Sequence, residues 1–226
     1  MKNTQIKRNN YNILDLNNNN SNNINSLPEV LNSILIGIML GDGGMYRSSP
    51  TANTRLEMSF GEKYKEFADS LGNIFKDYMS NPVKSIEIKG KEKIYINYRI
   101  KTKSLSIFNK YYEMFYKIDP HTQRFVKIVP ENISNLMNPI VLAYLIMTDG
   151  NFDKSRNRVR IYTNSFRKDE VQILASAINN NLSIYTGVLH DRKDQWILTI
   201  GIKNLELLRQ IVYPHFHNSM LYRIGM

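Results

Sequence analysis

The sequence predicts an α+β protein built from two similar halves, and three observations carry that prediction. An apolar helical run ending in Asp-Gly occurs twice, each copy is followed by the same succession of strands and helices, and the strands alternate apolar with polar residues. The first run, PEVLNSILIGIMLGDGG, starts at Pro28. Its apolar positions Val30, Leu31, Ile34, Leu35, Ile38 and Met39 recur at helical spacing until Gly43 and Gly44 stop it. The second run, NPIVLAYLIMTDGNF, has Pro139 near its start. Val141, Leu142, Leu145 and Ile146 form the equivalent stripe before Asp149 and Gly150 close it. Asp42 and Asp149 lie 107 positions apart (149 − 42), a period too long for a solenoid repeat and right for a duplicated small domain.

In the first half, MYRS and RLEMSF read as short strands, and EKYKEFADSLGNIFKDYM reads as a helix broken by Asn81 and Pro82. VKSIEIK and IYINYRIK follow as a strand pair joined at Lys89, Gly90 and Lys91, and SLSIFNKYYEMFYK is the closing helix. In the second half the counterparts are NFDKSRN, RVRIYTNSF, the helix through KDEVQILASAINNN, the pair SIYTGVLH and QWILTIGI across a DRKD turn, and NLELLRQIVYPHF. Ile94, Ile96, Tyr98 and Ile100 share one strand face, and Tyr95, Asn97, Arg99 and Lys101 share the other, the period of a half-buried antiparallel sheet. Arg156, Arg158, Arg160 and Tyr162 oppose Val159, Ile161 and Thr163 in the same way. One such polar face is ordinarily just solvated. Several of them, rich in Arg, Lys, Asn and Tyr, point to a nucleic-acid surface.

Bulk properties agree. With 226 residues the chain has room for one large domain or two small ones. Thirty Lys and Arg against 20 Asp and Glu give a net charge of +10, which favours a polyanionic partner. No stretch has the ~18 apolar residues of a spanning helix, so no membrane is expected. Without cysteine, disulfides, thiolate zinc sites and cysteine nucleophiles are excluded, and any metal must be held by oxygen or imidazole. The four His fall in no metal-binding spacing, and no nucleotide-binding glycine loop occurs. The segment 1–26, with 11 Asn, reads as a disordered tail. The halves are expected at 27–118 and 134–226, joined by a linker at 119–133. The bias toward Asn, Ile, Lys and Tyr matches A+T-rich codons and points to an organelle genome, a mitochondrial one in the first place and a plastid in the second.

Asp42 and Asp149 are the most informative residues. Each sits at the C-terminal end of an apolar helix, where the helix dipole disfavours a carboxylate by about 0.3–1 kcal/mol. If the two helices pack side by side the carboxylates meet. Such a pair requires a shared proton, basic neighbours or divalent cations, and hard oxygen ligands suit Mg²⁺ best. Gly37 and Gly41, four apart, allow close helix approach. Their counterparts Tyr144 and Thr148 make the expected packing asymmetric.

LIGIMLGDG at 35–43 and LAYLIMTDG at 142–150 resemble the two signature helices of a single-chain LAGLIDADG homing endonuclease, and the repeated element order from about Leu27 onward resembles that family's αββαββα half-domains. The resemblance implies a saddle of two antiparallel sheets in the DNA major groove, with the signature helices at the interface. It implies a monomer that hydrolyses one phosphodiester on each strand of a long target, leaves short 3′ overhangs and promotes intron mobility. Asp42, Asp149, Gly41 and Thr148 become the expected metal ligands. Lys127 in KIVP and Arg223 in MLYRIG become the basic residues stabilising the transferring phosphate. Arg223 departs from the usual Lys and cannot shuttle protons. Asn164 in YTNSF becomes a solvent-ordering residue, with Ser59 or Glu62 offered in the first half. Expected DNA contacts are Arg47, Arg55, Lys84, Tyr95, Asn97, Arg99, Lys101, Arg156, Arg158, Arg160, Tyr162 and Gln195.

Two other readings use the same scaffold. One is an RNA maturase that helps its host group I intron to splice, with intron RNA as partner. The other is a non-catalytic DNA-binding regulator. The paired Asp residues favour cleavage, because polyanion binding alone gives no reason to keep two carboxylates on the binding surface.

Overall fold

The structure is a computed structural model that describes residues 26–90 and 94–226, so the tail expected at 1–26 (save Ser26) and Lys91 of the first turn lie outside the described residues. The first half runs α1 (Glu29–Leu40), β1 (Gly44–Tyr46), β2 (Arg55–Gly61), α2 (Lys65–Ile74), β3 (Lys84–Lys89), β4 (Ile94–Lys101) and α3 (Asn109–Phe115). A small hairpin, β5 (Tyr116–Ile118) with β6 (Phe125–Lys127), and the single turn α4 (Ile133–Leu136) lead to the second half. There the order is α5 (Pro139–Asp149), β7 (Gly150–Asp153), β8 (Arg158–Ile161), α6 (Lys168–Leu182), β9 (Gly187–His190), β10 (Trp196–Ile200) and α7 (Ile202–Val212), closed by a 3₁₀ segment at Asn218–Ile224.

Each half folds its strands into a four-stranded antiparallel sheet of the same connectivity, β1-β2-β4-β3 in one and β7-β8-β10-β9 in the other. Alternation along the strands sets which way each sheet faces. Met45, Leu56, Met58, Phe60 and Ile100 turn into the core in the first sheet, and Val159, Ile161, Leu198 and Ile200 do so in the second. The core residues of both halves form one contiguous cluster, with α1 and α5 at its centre.

These two helices meet at backbone distance. At Gly37, an added Cβ would lie 2.5 Å from the Val141 carbonyl oxygen and 2.8 Å from the Tyr144 Cβ. At Gly41 it would lie 2.0 Å from the Thr148 Oγ1 and 3.0 Å from an Asp149 carboxylate oxygen. The expected asymmetry is therefore present: hydrogen side chains on α1 receive Tyr144 and Thr148 from α5. Leu35, Ile38, Met39, Leu142, Leu145 and Ile146 are essentially inaccessible, each contributing about 1.5–3 kcal/mol of burial. The far end of the seam is stapled by Asn138, which caps α5 by accepting from the Val141 N–H (3.0 Å) and donates to the Ser33 hydroxyl on α1 (2.8 Å).

Three local expectations need correction. The apolar face assigned to β4 is covered only toward its end: Ile94 is 58 % exposed while Ile100 is fully buried, because the β3–β4 hairpin extends past the helices that cover the rest of the sheet. Helix α1 stops at Leu40, before Gly43 and Gly44, because the Gly41 backbone leaves helical geometry (φ −106°, ψ −131°). Arg156 lies in the β7–β8 turn rather than on a strand face.

The seam makes a direct prediction. Gly37→Ala should lower unfolding free energy by about 1–3 kcal/mol in urea titrations, since the clash is with backbone and exceeds the ~1 kcal/mol that alanine adds in helix propensity. Gly61→Ala, where nothing lies within 4 Å of the new methyl, is the near-neutral control.

Candidate active site and nucleic-acid face

Because α1 ends early, Asp42 falls two residues beyond its end and is the more exposed of the pair, whereas α5 continues through Asp149, which is half-buried. The two carboxyl groups hydrogen-bond each other across the seam. Desolvation raises both above the usual carboxylate range. Asp149 is pushed up to about 7, with the charge of Asp42 adding to the effect of burial, so Asp149 carries the proton that the pair shares.

A basic residue from each half closes on this pair. Lys127, at the end of β6, donates its ammonium to the carbonyls of Gly41 (2.5 Å) and Gly43 (2.8 Å). Burial lowers its pKa to about 8 against the opposing pull of Asp149 and Asp42. Arg223, in the C-terminal 3₁₀ segment, donates to the carbonyl of Gly150, the counterpart of Gly43, and to the Tyr64 hydroxyl (3.2 Å). Its Nε is buried without a partner among the described residues. Both cations thus grip the carbonyl that follows the Asp of their own half, and both pull the Asp pair toward ionisation.

The donor set around the pair is all oxygen, which suits a hard divalent cation. No third His, Cys, Asp or Glu joins it among the described residues. The Thr148 hydroxyl is committed inside its helix to the carbonyls of Tyr144 (2.9 Å) and Leu145 (3.1 Å), so any ligand role of Thr148 falls to its backbone. The Gly41 carbonyl is shared with Lys127.

Opposite the core, each sheet presents an open face. On the first, cross-strand register aligns Tyr46 with Arg55, Glu57 with Lys101, Ser59 with Arg99, Gly61 with Asn97, and Arg99 with Lys84. On the second it aligns Asn151 with Arg160 and Asp153 with Arg158, and then Arg160 with Thr199. Arg55, Lys84, Tyr95, Asn97, Arg99, Lys101, Arg158, Arg160 and Tyr162 all belong to these faces. Arg47 does not. It turns toward α3, donating to Thr54 (3.1 Å) and Glu113 (3.3 Å) and lying over the Tyr112 ring, because it follows the inward-facing Met45 by two residues. The Asn164 amide is committed to other partners: it donates to Asp191 and to Gln195, each at 3.0 Å, beside the β9–β10 turn. Gln195 also accepts from Arg192 (3.1 Å).

Sequence reasoning passed over Tyr46, Tyr64, Glu57 and Asp153. The first was within reach, since Tyr46 alternates with Met45, and its ring carries the Arg55 guanidinium at 3.9 Å. Tyr64 offered no signal, because its contact with Arg223 spans the two halves. Glu57 and Asp153 read as ordinary strand acids until the register brings arginines to them.

The family model described as "LAGLIDADG DNA endonuclease family" matches residues 32–208. Among curated relatives, the cytochrome b mRNA maturase bI2 of Saccharomyces cerevisiae is 27 % identical over 91 % of this chain, which spans about half (49 %) of that protein. The probable intron-encoded endonuclease 1 of Wickerhamomyces canadensis is 27 % identical, with 88 % of this chain and 85 % of that protein covered. Among solved structures, the homing endonuclease I-WcaI bound to its DNA recognition sequence superposes with a TM-score of 0.78 at 24 % identity, covering 94 % of this chain and 97 % of that one. No helix among the described residues is long and apolar enough to cross a membrane.

Asp153 supplies a pH test of this geometry. Hydrogen bonds from Ser155 and then Arg158, with the charge of Arg160, hold its carboxyl down at about 2. The folded-state pKa is depressed, so its stabilisation is present above the unfolded value of ~3.9 and disappears as pH falls toward 2. Thermal melts of Asp153→Asn should therefore lose less stability than wild type between about pH 4 and pH 2.

Proposed function

Because the chain belongs to the LAGLIDADG DNA endonuclease family, we propose that it is a homing endonuclease, a monomer that cuts both strands of one long double-stranded DNA target and so promotes mobility of the intron encoding it. The observation that carries this reading is the Asp42–Asp149 pair at the helix seam, flanked by Lys127 and Arg223, each bonded to the carbonyl that follows the Asp of its own half. An organelle intron, mitochondrial first, is the proposed origin, in line with the A+T-rich composition and the intron-encoded relative.

Divalent cations, Mg²⁺ by preference, would be held by Asp42 and Asp149 with the backbone of Gly41 and Thr148. Bound there, they supply activation of water and charge neutralisation at the scissile phosphate. The chain's own groups do the rest. Asp149, whose burial favours the protonated carboxyl near neutral pH, would have to give up that proton to serve as a ligand. Lys127, with a pKa of about 8, is close enough to neutrality to exchange a proton at its Nζ as well as to offer charge. Arg223 offers charge alone, through a guanidinium fixed by the Gly150 carbonyl and Tyr64. The two flanks of the site are therefore chemically unequal. The open faces of the sheets supply the DNA surface: on the first, Lys84 of β3 and Arg99 and Lys101 of β4 present cations across two adjacent strands with Tyr95 and Asn97 among them, and on the second Tyr162 follows β8.

The maturase reading is favoured by one observation, the similarity to the maturase from Saccharomyces cerevisiae. Two carboxylates at the centre of a cationic surface are unnecessary for RNA binding, so cleavage remains the primary reading.

Two outcomes are expected. Asp42→Asn and Asp149→Asn should each reduce plasmid cleavage in Mg²⁺ by about 10²-fold or more, while target binding in Ca²⁺ stays close to wild type. Full cleavage by either variant would refute a shared site. Lys84→Ala and Lys101→Ala should each lower the salt dependence of binding by about one unit of slope, whereas unchanged slopes would move the DNA to another surface.

A further inference from the structure

Each open face carries one acid among its strand residues, Glu57 on the first sheet and Asp153 on the second, on surfaces that otherwise attract a polyanion. Neither acid is free to meet a base. The Glu57 Oε1 accepts from the Arg55 Nε (2.5 Å) and its Oε2 from the Arg99 Nη2 (2.6 Å), with the Lys101 ammonium 4.0 Å away. The Asp153 Oδ1 accepts from the Ser155 hydroxyl (2.7 Å), and its Oδ2 takes the Arg158 Nε (3.0 Å) and the Arg160 Nη2 (3.1 Å). Each acid thus holds two arginines, one on its own strand or the next and one farther across or along the sheet. The stems are packed down: the side chains of Arg55 and Arg158 are 19 % and 14 % exposed.

We propose that Glu57 and Asp153 are specificity-determining positioning residues, which clamp Arg55 and Arg99 in one half and Arg158 and Arg160 in the other so that these guanidinium groups read guanines in opposite halves of the DNA target. This rests on the DNA-cleavage reading above. A free arginine bends to whatever phosphate is near, whereas a clamped one presents its remaining donors in one direction and loses less rotamer freedom on binding. With Nε engaged, Arg55 and Arg158 each keep both Nη groups, the two-pronged end that matches guanine O6 and N7. Tyr46 stacked on Arg55 restrains that plane further. The acids repel phosphate, so they lower affinity for arbitrary DNA while sharpening the choice of sequence.

The experiment selects duplexes from a random-sequence DNA library with the full chain in Ca²⁺. It then measures binding of the enriched duplex and all its single-base variants to wild type, Glu57→Gln and Asp153→Asn. The expected result is a loss of guanine preference of about tenfold at a few positions in one half of the target for Glu57→Gln, and in the other half for Asp153→Asn, with affinity for non-target duplex unchanged or raised. Wild-type base preferences in both variants would overturn the inference and leave the function reading intact. Loss spread evenly over the whole target would overturn it too, as the mark of a general structural role. Failure of the wild-type chain to enrich any sequence would overturn the function reading, and this inference with it.

Discussion

The close approach of α1 and α5 at Gly37 and Gly41 is the constraint on which the rest of the structure depends. With no side chain at either position, the backbone of α1 comes into contact with Val141, Tyr144 and Thr148 of α5, and this contact fixes how the two halves sit against each other. The same contact forces together the two helix ends, where carbonyl dipoles and carboxylates of like sign accumulate. The shared proton and the placement of Lys127 and Arg223 follow as responses to that forced proximity. Each cation binds backbone carbonyls beside an Asp, answering both the exposed helix end and the carboxylate.

Duplication gives the molecule its symmetry, and the departures from symmetry carry chemical consequences. Helix α1 breaks at Gly41 while α5 runs on through Asp149, so one carboxyl is the more exposed and its partner the more buried. Burial and the neighbouring charge of Asp42 then raise the pKa of Asp149, the more buried of the two. The cations differ likewise: a lysine whose burial lowers its pKa to about 8 on one flank, and on the other a planar guanidinium fixed by the Gly150 carbonyl and Tyr64. The two flanks of the site are therefore chemically unequal even though the scaffold repeats.

The sheets show how a basic protein avoids being merely sticky. A face of unrestrained lysines and arginines binds any phosphate backbone. Here the arginines are held by Glu57 and Asp153 and by an aromatic ring, so part of the positive charge is already committed within the protein. What remains available is directional.

The sequence by itself determined the duplication, the element order and the Asp pair, because each is written in local patterns: helical periodicity, strand alternation and an Asp-Gly terminus repeated 107 residues apart. It also determined the asymmetry at Gly37 opposite Tyr144, which only needed the two runs to be aligned. Tertiary structure alone decided which residues of different strands meet on the open faces. Arg47 looked like a member of the polar face, but two residues beyond Met45 it points back to Glu113 and Tyr112. Asn164 was drawn to Asp191 and Gln195, partners 27 and 31 residues away that meet it only once β10 pairs with β8. Glu57 and Asp153 became arginine clamps by register, and Tyr64 met Arg223 across 159 residues of chain. Periodicity specifies the direction of a side chain within its own element. Which charges come to share a few ångströms depends on how separate elements pair, and that is set by packing of the whole core.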